Sequence, residues 1–273
     1  MLLTVVAILA PLVQAASFAP PPGRPVRVIT ERSDGEGEDR RTYRSERQIR
    51  FTRDGEGWRA EVRTLAGSAD GGPEAQAMFS AGYGALAGRT LVFRLDAQGR
   101  ATALDDQAGH WQAFCDGVKT LIAMRRGKAS PEAARMLADR VAAPLCALPA
   151  DRQFATLASM VEQLAGGEAV ARPGTRPAAL SAVSPFGGPV AIQGTQTIAF
   201  DGLLVVSTTR GAADMAGPDG TSGRVEIERV RRLDPLTGLL TGTSETIRTS
   251  TGARASVRRS EVRVRIEPED AWR

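Results

Sequence analysis

Apolar and polar positions alternate with period two over several stretches of the first part of the chain. Trp58, Ala60 and Val62 alternate with Arg59, Glu61 and Arg63. Ile49 and Phe51 sit between Gln48, Arg50 and Thr52, and Leu91, Phe93 and Leu95 between Val92 and Arg94. Such a period with one polar face predicts half-buried strands of an antiparallel sheet. Asp54-Gly55-Glu56-Gly57 interrupts it and predicts a hairpin turn into the Trp58 strand. From Gly67 to Gly88 the pattern is that of a loop, with a short helix after Pro73.

The period then changes. Trp111, Phe114, Cys115, Val118, Leu121 and Ile122 form one apolar stripe at helical spacing. Such a stripe has to be buried, and the apolar side of the sheet near Trp58, Phe93 or Leu95 is the matching surface. Ser130 as N-cap and Pro131 at the first helical position open a second helix, which carries Leu137 and Val141 and is disturbed near Pro144. A third helix starts near Asp151, carries Phe154, Leu157, Val161 and Leu164, and stops at Gly166-Gly167. After a connector rich in Pro, Gly and Ala, strands return as a meander over Leu203 to Arg210, Gly223 to Leu233, Leu239 to Thr249 and Ala253 to Glu267. In the last of these, Val262, Val264 and Ile266 alternate with Arg263, Arg265 and Glu267, which predicts one buried face and one cationic face.

The fold class that follows is α+β: a twisted antiparallel sheet, half-barrel-like, with a helical insert of about three helices packed on one face. The expected organisation is a leader over 1–16, a Pro-rich spacer over 17–25 and one domain over 26–267. Within that domain, 26–106 is β, 107–167 the helical insert, 168–189 the connector and 190–267 the β meander, with a tail over 268–273. Leu95-Asp96-Ala97-Gln98-Gly99 and Leu233-Asp234-Pro235-Leu236-Thr237-Gly238 both place Asp at a strand end and Gly where a hairpin needs positive φ. They are either equivalent points of an internal duplication or two cases of ordinary turn chemistry.

Residues 1–16 change the picture of where the protein works. Met1 to Ala16 contain no charged side chain, an apolar run from Leu2 through Val13, and a small-residue exit at Val13-Gln14-Ala15-Ala16. That is the pattern of a secretory signal peptide cleaved near Ala15 or Ala16, although the usual Lys or Arg at its start is missing. A membrane anchor needs about 20 apolar residues, and no Cys follows the run to accept lipid. Lys occurs only at 119 and 128 and Asn not at all, a bias of GC-rich bacterial genomes. The expected location is the periplasm of a Gram-negative bacterium, or outside the cell.

The chain is 42% hydrophobic but only 5% aromatic, and its net charge of +4 comes from 35 basic and 31 acidic residues interspersed along it. Without a concentrated basic face or aromatic platforms, nucleic acid is not an expected partner. Arg258, Arg259, Arg263 and Arg265, with Arg229, Arg231 and Arg232, are either a solvated face or a surface for anionic headgroups or an acidic partner. Cys115 and Cys146 are the two cysteines; in an oxidising compartment they predict one disulfide, since redox or zinc chemistry would call for C-x-x-C or further ligands. His110, the one histidine, reads as an ordinary helix-entry residue. There is no G-x-S-x-G, H-E-x-x-H, Walker loop or S-x-x-K, and Gly82-Tyr83-Gly84 with Gly88 has the wrong context for a dinucleotide loop. Asp105-Asp106 and scattered Glu residues leave room for a hydrolase of the two-carboxylate type, against which stands the scarcity of Trp and Tyr. No catalytic residue, metal or cofactor is called for.

The run Leu91-Val92-Phe93-Arg94-Leu95-Asp96 with its Gly99 turn, the helices from Trp111 and the Leu233–Gly238 hairpin together resemble the periplasmic lipoprotein-localisation-factor-like half-barrels and secreted bacterial domains of unknown function. The resemblance covers residues 26–266 in outline and transfers no catalytic residue. In that group an apolar concavity between sheet and helices holds acyl chains. It therefore implies a non-enzymatic binder or carrier of an apolar ligand, with Trp58, Phe93, Leu95, Trp111, Phe114, Val118 and Leu121 as the ligand-binding candidates. The rival class is a structural or protein-interaction domain of the envelope whose core is filled by side chains. Cavity volume separates the two.

Overall fold

The structure is a computed structural model that describes residues 18–35, 40–70, 76, 79, 84–124, 130–165, 172–217, 220–252 and 254–272. The leader expected over 1–16, residues 82 and 83 of the expected Gly82-Tyr83-Gly84 loop and most of the short helix expected after Pro73 lie outside these residues.

Among the described residues the strands form a single antiparallel sheet of 11 that does not close. The first five are β1 (Pro25–Asp34), β2 (Arg41–Asp54), β3 (Gly57–Ala69), β4 (Thr90–Leu95) and β5 (Ala101–Leu104). The chain enters in the middle of the sheet at β1 and walks to one edge at β5. Helices α1 (Gln107–Met124), α2 (Pro131–Cys146) and α3 (Ala150–Glu162) then carry it to the opposite edge. From there β6 (Gly174–Val183), β7 (Pro189–Asp201), β8 (Leu204–Ala216), β9 (Ser222–Leu233), β10 (Leu240–Thr251) and β11 (Arg254–Ile266) return to the middle, where β11 pairs with β1 in the register Val28 opposite Val264. The fold class is thus the expected α+β sheet with its helical insert.

Period two decides which residues face inward. In the first half Val26, Ile49, Val62 and Leu91 stand side by side across β1 to β4, and Phe51, Ala60 and Phe93 form the neighbouring row. All are buried, and Trp111, Cys115, Leu157, Ala158 and Val161 close over them from the helices, with Leu164 just past α3. The outer face of the same strands is polar and paired: Arg27 bridges Glu46 and Glu267, and Arg44 bridges Glu31 and Glu46. The Arg44 hydrogen bond, more than any other contact, holds the Glu46 carboxyl below its usual range.

Three expectations need correction. Residues 168–189 are not mainly a connector, because β6 occupies Gly174–Val183; Pro177 and the Ala-rich run hid it, and an edge strand tolerates a proline whose missing N–H faces away from the ladder. Phe18, placed in the spacer, is a core residue packed edge-on against Phe51 and Trp58; Gly99, at φ +80, makes room for it, since a Cβ there would lie 2.7 Å from the Phe18 ring. The tail turns back on the outer face: Gln48 donates to the Ala271 carbonyl at 2.8 Å, and Trp272 lies under the guanidinium groups of Arg50 and Arg63.

Helix α2 also differs from its expectation. Its buried face is Ala134, Ala138 and Ala142, while Val141 is 54% exposed. Small side chains allow the close approach to α1, whose Gly117 is also buried. Pro144 stays inside the helix at the cost of the bond its missing N–H would have made to the Arg140 carbonyl, and the helix stops two residues later at Cys146.

Candidate functional site

The helical insert is fixed at its start by Asp106. That residue adopts φ +48, accepts from the Gly109 amide at 3.3 Å and leaves no space for a side chain at Gly109, where a Cβ would meet its carboxylate. One of the two adjacent carboxylates considered for hydrolysis thus caps a helix. His110, one turn in, is buried, and its Nδ1 has no hydrogen-bond partner among the described residues. Burial holds the imidazole below its usual pKa; Asp106 opposes the shift and Arg89 adds to it.

Cys115 and Cys146 form a disulfide with Cα atoms 5.7 Å apart, which ties the middle of α1 to the end of α2. Trp111 adds a second tie by donating its Nε1 hydrogen to the Cys146 carbonyl at 3.1 Å.

The seven candidate residues separate into three groups. Trp58, Phe93, Leu95 and Trp111 sit in one cluster at 0–5% exposure, closed on each other and on Leu157 and Val161. Phe114 is half-buried and packs against that cluster, with its ring 5.1 Å from Trp111. Val118 and Leu121, further along α1, are half-buried and lie outside it.

The inner face of β6 to β11 is built differently. It carries two small apolar clusters, Ile198, Val205, Leu233 and Leu240 in one and Ile192, Val225, Ile227 and Ile247 in the other, and among the described residues no helix residue belongs to either. Between them runs a polar row. Arg176 donates to Gln196, and Gln196 donates to Ser207, both at 2.7 Å; in the next strands Arg229 donates to Glu245, also at 2.7 Å. Sequence reasoning missed this row, although alternation through Gln196, Ile198, Ser207 and Thr209 on shared parity was its signal.

This half of the sheet curls on itself. Ser181, Ala182 and Val183 of β6 line one cavity of 480 Å³ together with Arg229, Glu245, Ile247 and Arg258 of β9 to β11. An adjoining cavity of 290 Å³ shares Val183, Ile247 and Arg258. The lining mixes apolar Ala182, Val183, Pro189 and Ile247 with Arg258 and the Arg229–Glu245 pair. The Arg stripes divide between the two faces: Arg229 and Arg258 reach these inner cavities, whereas Arg263 lies outside, bonded to Glu261 and Glu31.

No family model matches the chain, and no curated protein matches it. Among solved structures, a lipovitellin chain described for its lipid–protein interactions aligns over 91% of this chain and 25% of its own length, with 9% identity and a TM-score of 0.41. The protein Rv2717c of M. tuberculosis aligns over 88% of this chain and 91% of its own, with 10% identity and a TM-score of 0.27. These likenesses are of outline. The chain spans a quarter of the lipovitellin chain.

Proposed function

We propose that this chain is a non-enzymatic binding protein of the bacterial envelope that holds an apolar, acyl-type ligand on the inner face of β6 to β11. The observation that carries this reading is a contrast in cover: among the described residues no helix residue belongs to the apolar clusters of that half, and the one built on Ile192, Val225, Ile227 and Ile247 borders a cavity of 480 Å³ through Ile247 and Ala182. A volume of several hundred Å³ is in the range of small-molecule sites. The site is therefore displaced from the Trp58, Phe93 and Trp111 junction toward the edge strand. Export is supported by the disulfide and by the leader pattern of residues 1–16, and among the described residues no helix is long and apolar enough to cross a membrane.

Mass spectrometry of an organic extract of protein purified from its native compartment tests the ligand. Fatty acid or lipid at about one equivalent is expected, and its loss in Ala182→Trp, which fills the cavity. Protein free of lipid that also fails to bind a fluorescent fatty acid would overturn the reading. It would leave the second one, a structural or interaction domain with a filled core, which the closure of Trp58, Phe93, Leu95 and Trp111 favours. N-terminal sequencing of the native protein tests export: a start at residue 16 or 17 is expected, and an intact Met1 would remove that part of the proposal.

A further inference from the structure

The two edges of the sheet are protected unequally. β5 spans only Ala101–Leu104, and Glu162 of α3 covers it by accepting the Ala101 amide at 2.9 Å. β6 runs for 10 residues, and among the described residues its free side has no backbone partner.

The hairpin fixes which groups point outward. Ser184 donates its amide to the Gly188 carbonyl at 2.8 Å, so Ser184 faces β7. With period two, Ala182, Leu180, Ala178, Arg176 and Gly174 face β7 as well. The backbone groups of Thr175, Pro177, Ala179, Ser181 and Val183 therefore point to the free side, and all five residues are exposed. The hydroxyl contact of Thr175 with Thr197 at 3.1 Å fits this parity, because non-bonded pairs bring side chains closest. Long edge strands are normally blunted by charge, proline, bulges or cover. β6 has one charged residue, Arg176, one proline, Pro177, and no break in its register with β7.

We propose that the free edge of β6 pairs antiparallel with β6 of a second copy of this chain, forming a two-fold dimer in which the two sheets run on into each other. A two-fold axis at Ala179 is self-complementary. Ala179 meets its own copy, Thr175 meets Val183, and the one missing donor, Pro177, meets Ser181 and still accepts its amide. Every residue brought opposite on the outward set is small and uncharged, and Arg176 meets Ala182, so no like charges oppose across the seam, which would be destabilising.

Sedimentation over a concentration series reaching several hundred micromolar tests the pairing. The weight-average mass is expected to rise toward double, with the amides of Ala179, Ser181 and Val183 becoming at least tenfold more protected from hydrogen exchange as it does. Ala179→Pro removes the central pair of donors without touching a bond to β7, and Ala179→Lys sets two cations against each other at the axis. Both are expected to stay monomeric with unchanged melting; should the proline variant fail to fold, the lysine variant decides. A wild-type protein that remains monomeric throughout would overturn the proposal. So would a dimer whose β6 amides stay unprotected, or one that persists in the lysine variant.

Discussion

The two halves of one continuous sheet solve the same physical problem in opposite ways. Strands β1 to β5 present Val26, Ile49, Phe51, Val62 and Phe93 inward, and the helices bury that face with Trp111, Leu157 and Val161. Among the described residues no helix residue joins the apolar clusters of β6 to β10, whereas Val262 of β11 belongs to the helix-covered core. The inner face of β6 to β10 is thinner in apolar atoms, mixes Gln196, Ser207 and Thr209 into the buried set, and is covered by the curl of the sheet itself. Stability should therefore be concentrated in the first half and adaptability in the second. That division is open to test by matched perturbations.

The largest effect is expected from a charge placed in the covered half. Phe93 is fully buried, so Phe93→Asp leaves an unpaired carboxylate in a dry core and should cost more than about 5 kcal/mol, enough to unfold the domain. Val190→Asp introduces the same carboxylate on the half-buried rim of the second half and should cost no more than about 2 kcal/mol, because water reaches the site. Chemical denaturation followed by circular dichroism reads both. Equal losses would abolish the proposed division.

Removing the disulfide comes next. The bond closes a loop with a sequence separation of 31, for which the chain-entropy model gives about 4 kcal/mol. The double variant Cys115→Ser, Cys146→Ser should lose a similar amount, and native-state hydrogen exchange should show faster opening in α1 and α2 than in β8 and β9. Uniform acceleration over both halves would mean that the clamp acts on the whole sheet and not on the helical cover.

How much of this was legible before the structure follows the same division. Alternation through Trp58, Ala60 and Val62 marked its strand and its buried face, because large apolar side chains opposite Arg and Glu leave one assignment. The disulfide followed from there being two cysteines, and the helix starts at Ser130 and Pro131 from cap chemistry; Ser130 does accept the Ala133 amide at 3.3 Å. The missed features are those in which tertiary context overrides local pattern. Nothing local says that Phe18 reaches the core, since its partners Phe51 and Trp58 are distant in sequence. β6 was hidden because Ala, Gly and Pro are poor strand formers, and an edge position excuses them. The alanine face of α2 was hidden because size complementarity with α1, not hydrophobicity, selects it. Of the seven candidate residues, those with the largest side chains, Trp58, Phe93 and Trp111, close the core, while the cavity of the second half is lined by smaller ones such as Ala182 and Val183.

A pH titration sharpens the comparison further, because the only histidine belongs to the covered half. The folded state holds His110 neutral by burying it, below its ordinary value of 6.5. Its unfolded form takes up a proton first as pH falls, so the stability tied to the neutral ring is intact above pH 6.5 and is lost on going below it. Glu46 and Glu261, held low chiefly by Arg44 and Arg263, add their losses only below their usual 4.5. The melting temperature should thus begin to fall below pH 6.5, and His110→Gln should flatten the curve between that point and 4.5. An unchanged slope in the variant would show that another group titrates there.

The smallest effect is expected at the ion pair on the inner face of the second half. Arg229 and Glu245 have side chains 41% and 21% exposed, so water screens them and holding both long side chains costs entropy. A double-mutant cycle with Arg229→Ala and Glu245→Ala should give a coupling of about 0.5 kcal/mol that shrinks further in high salt. If the second half were as dry as the first, the pair would behave as a buried one: removing one partner alone would cost about 3–5 kcal/mol by stranding the other charge. A loss of that size from Glu245→Ala alone would show that the cavity beside Arg229 is sealed from water, and the inner face of β6 to β11 would then have to be regarded as core instead of as a site open to a ligand.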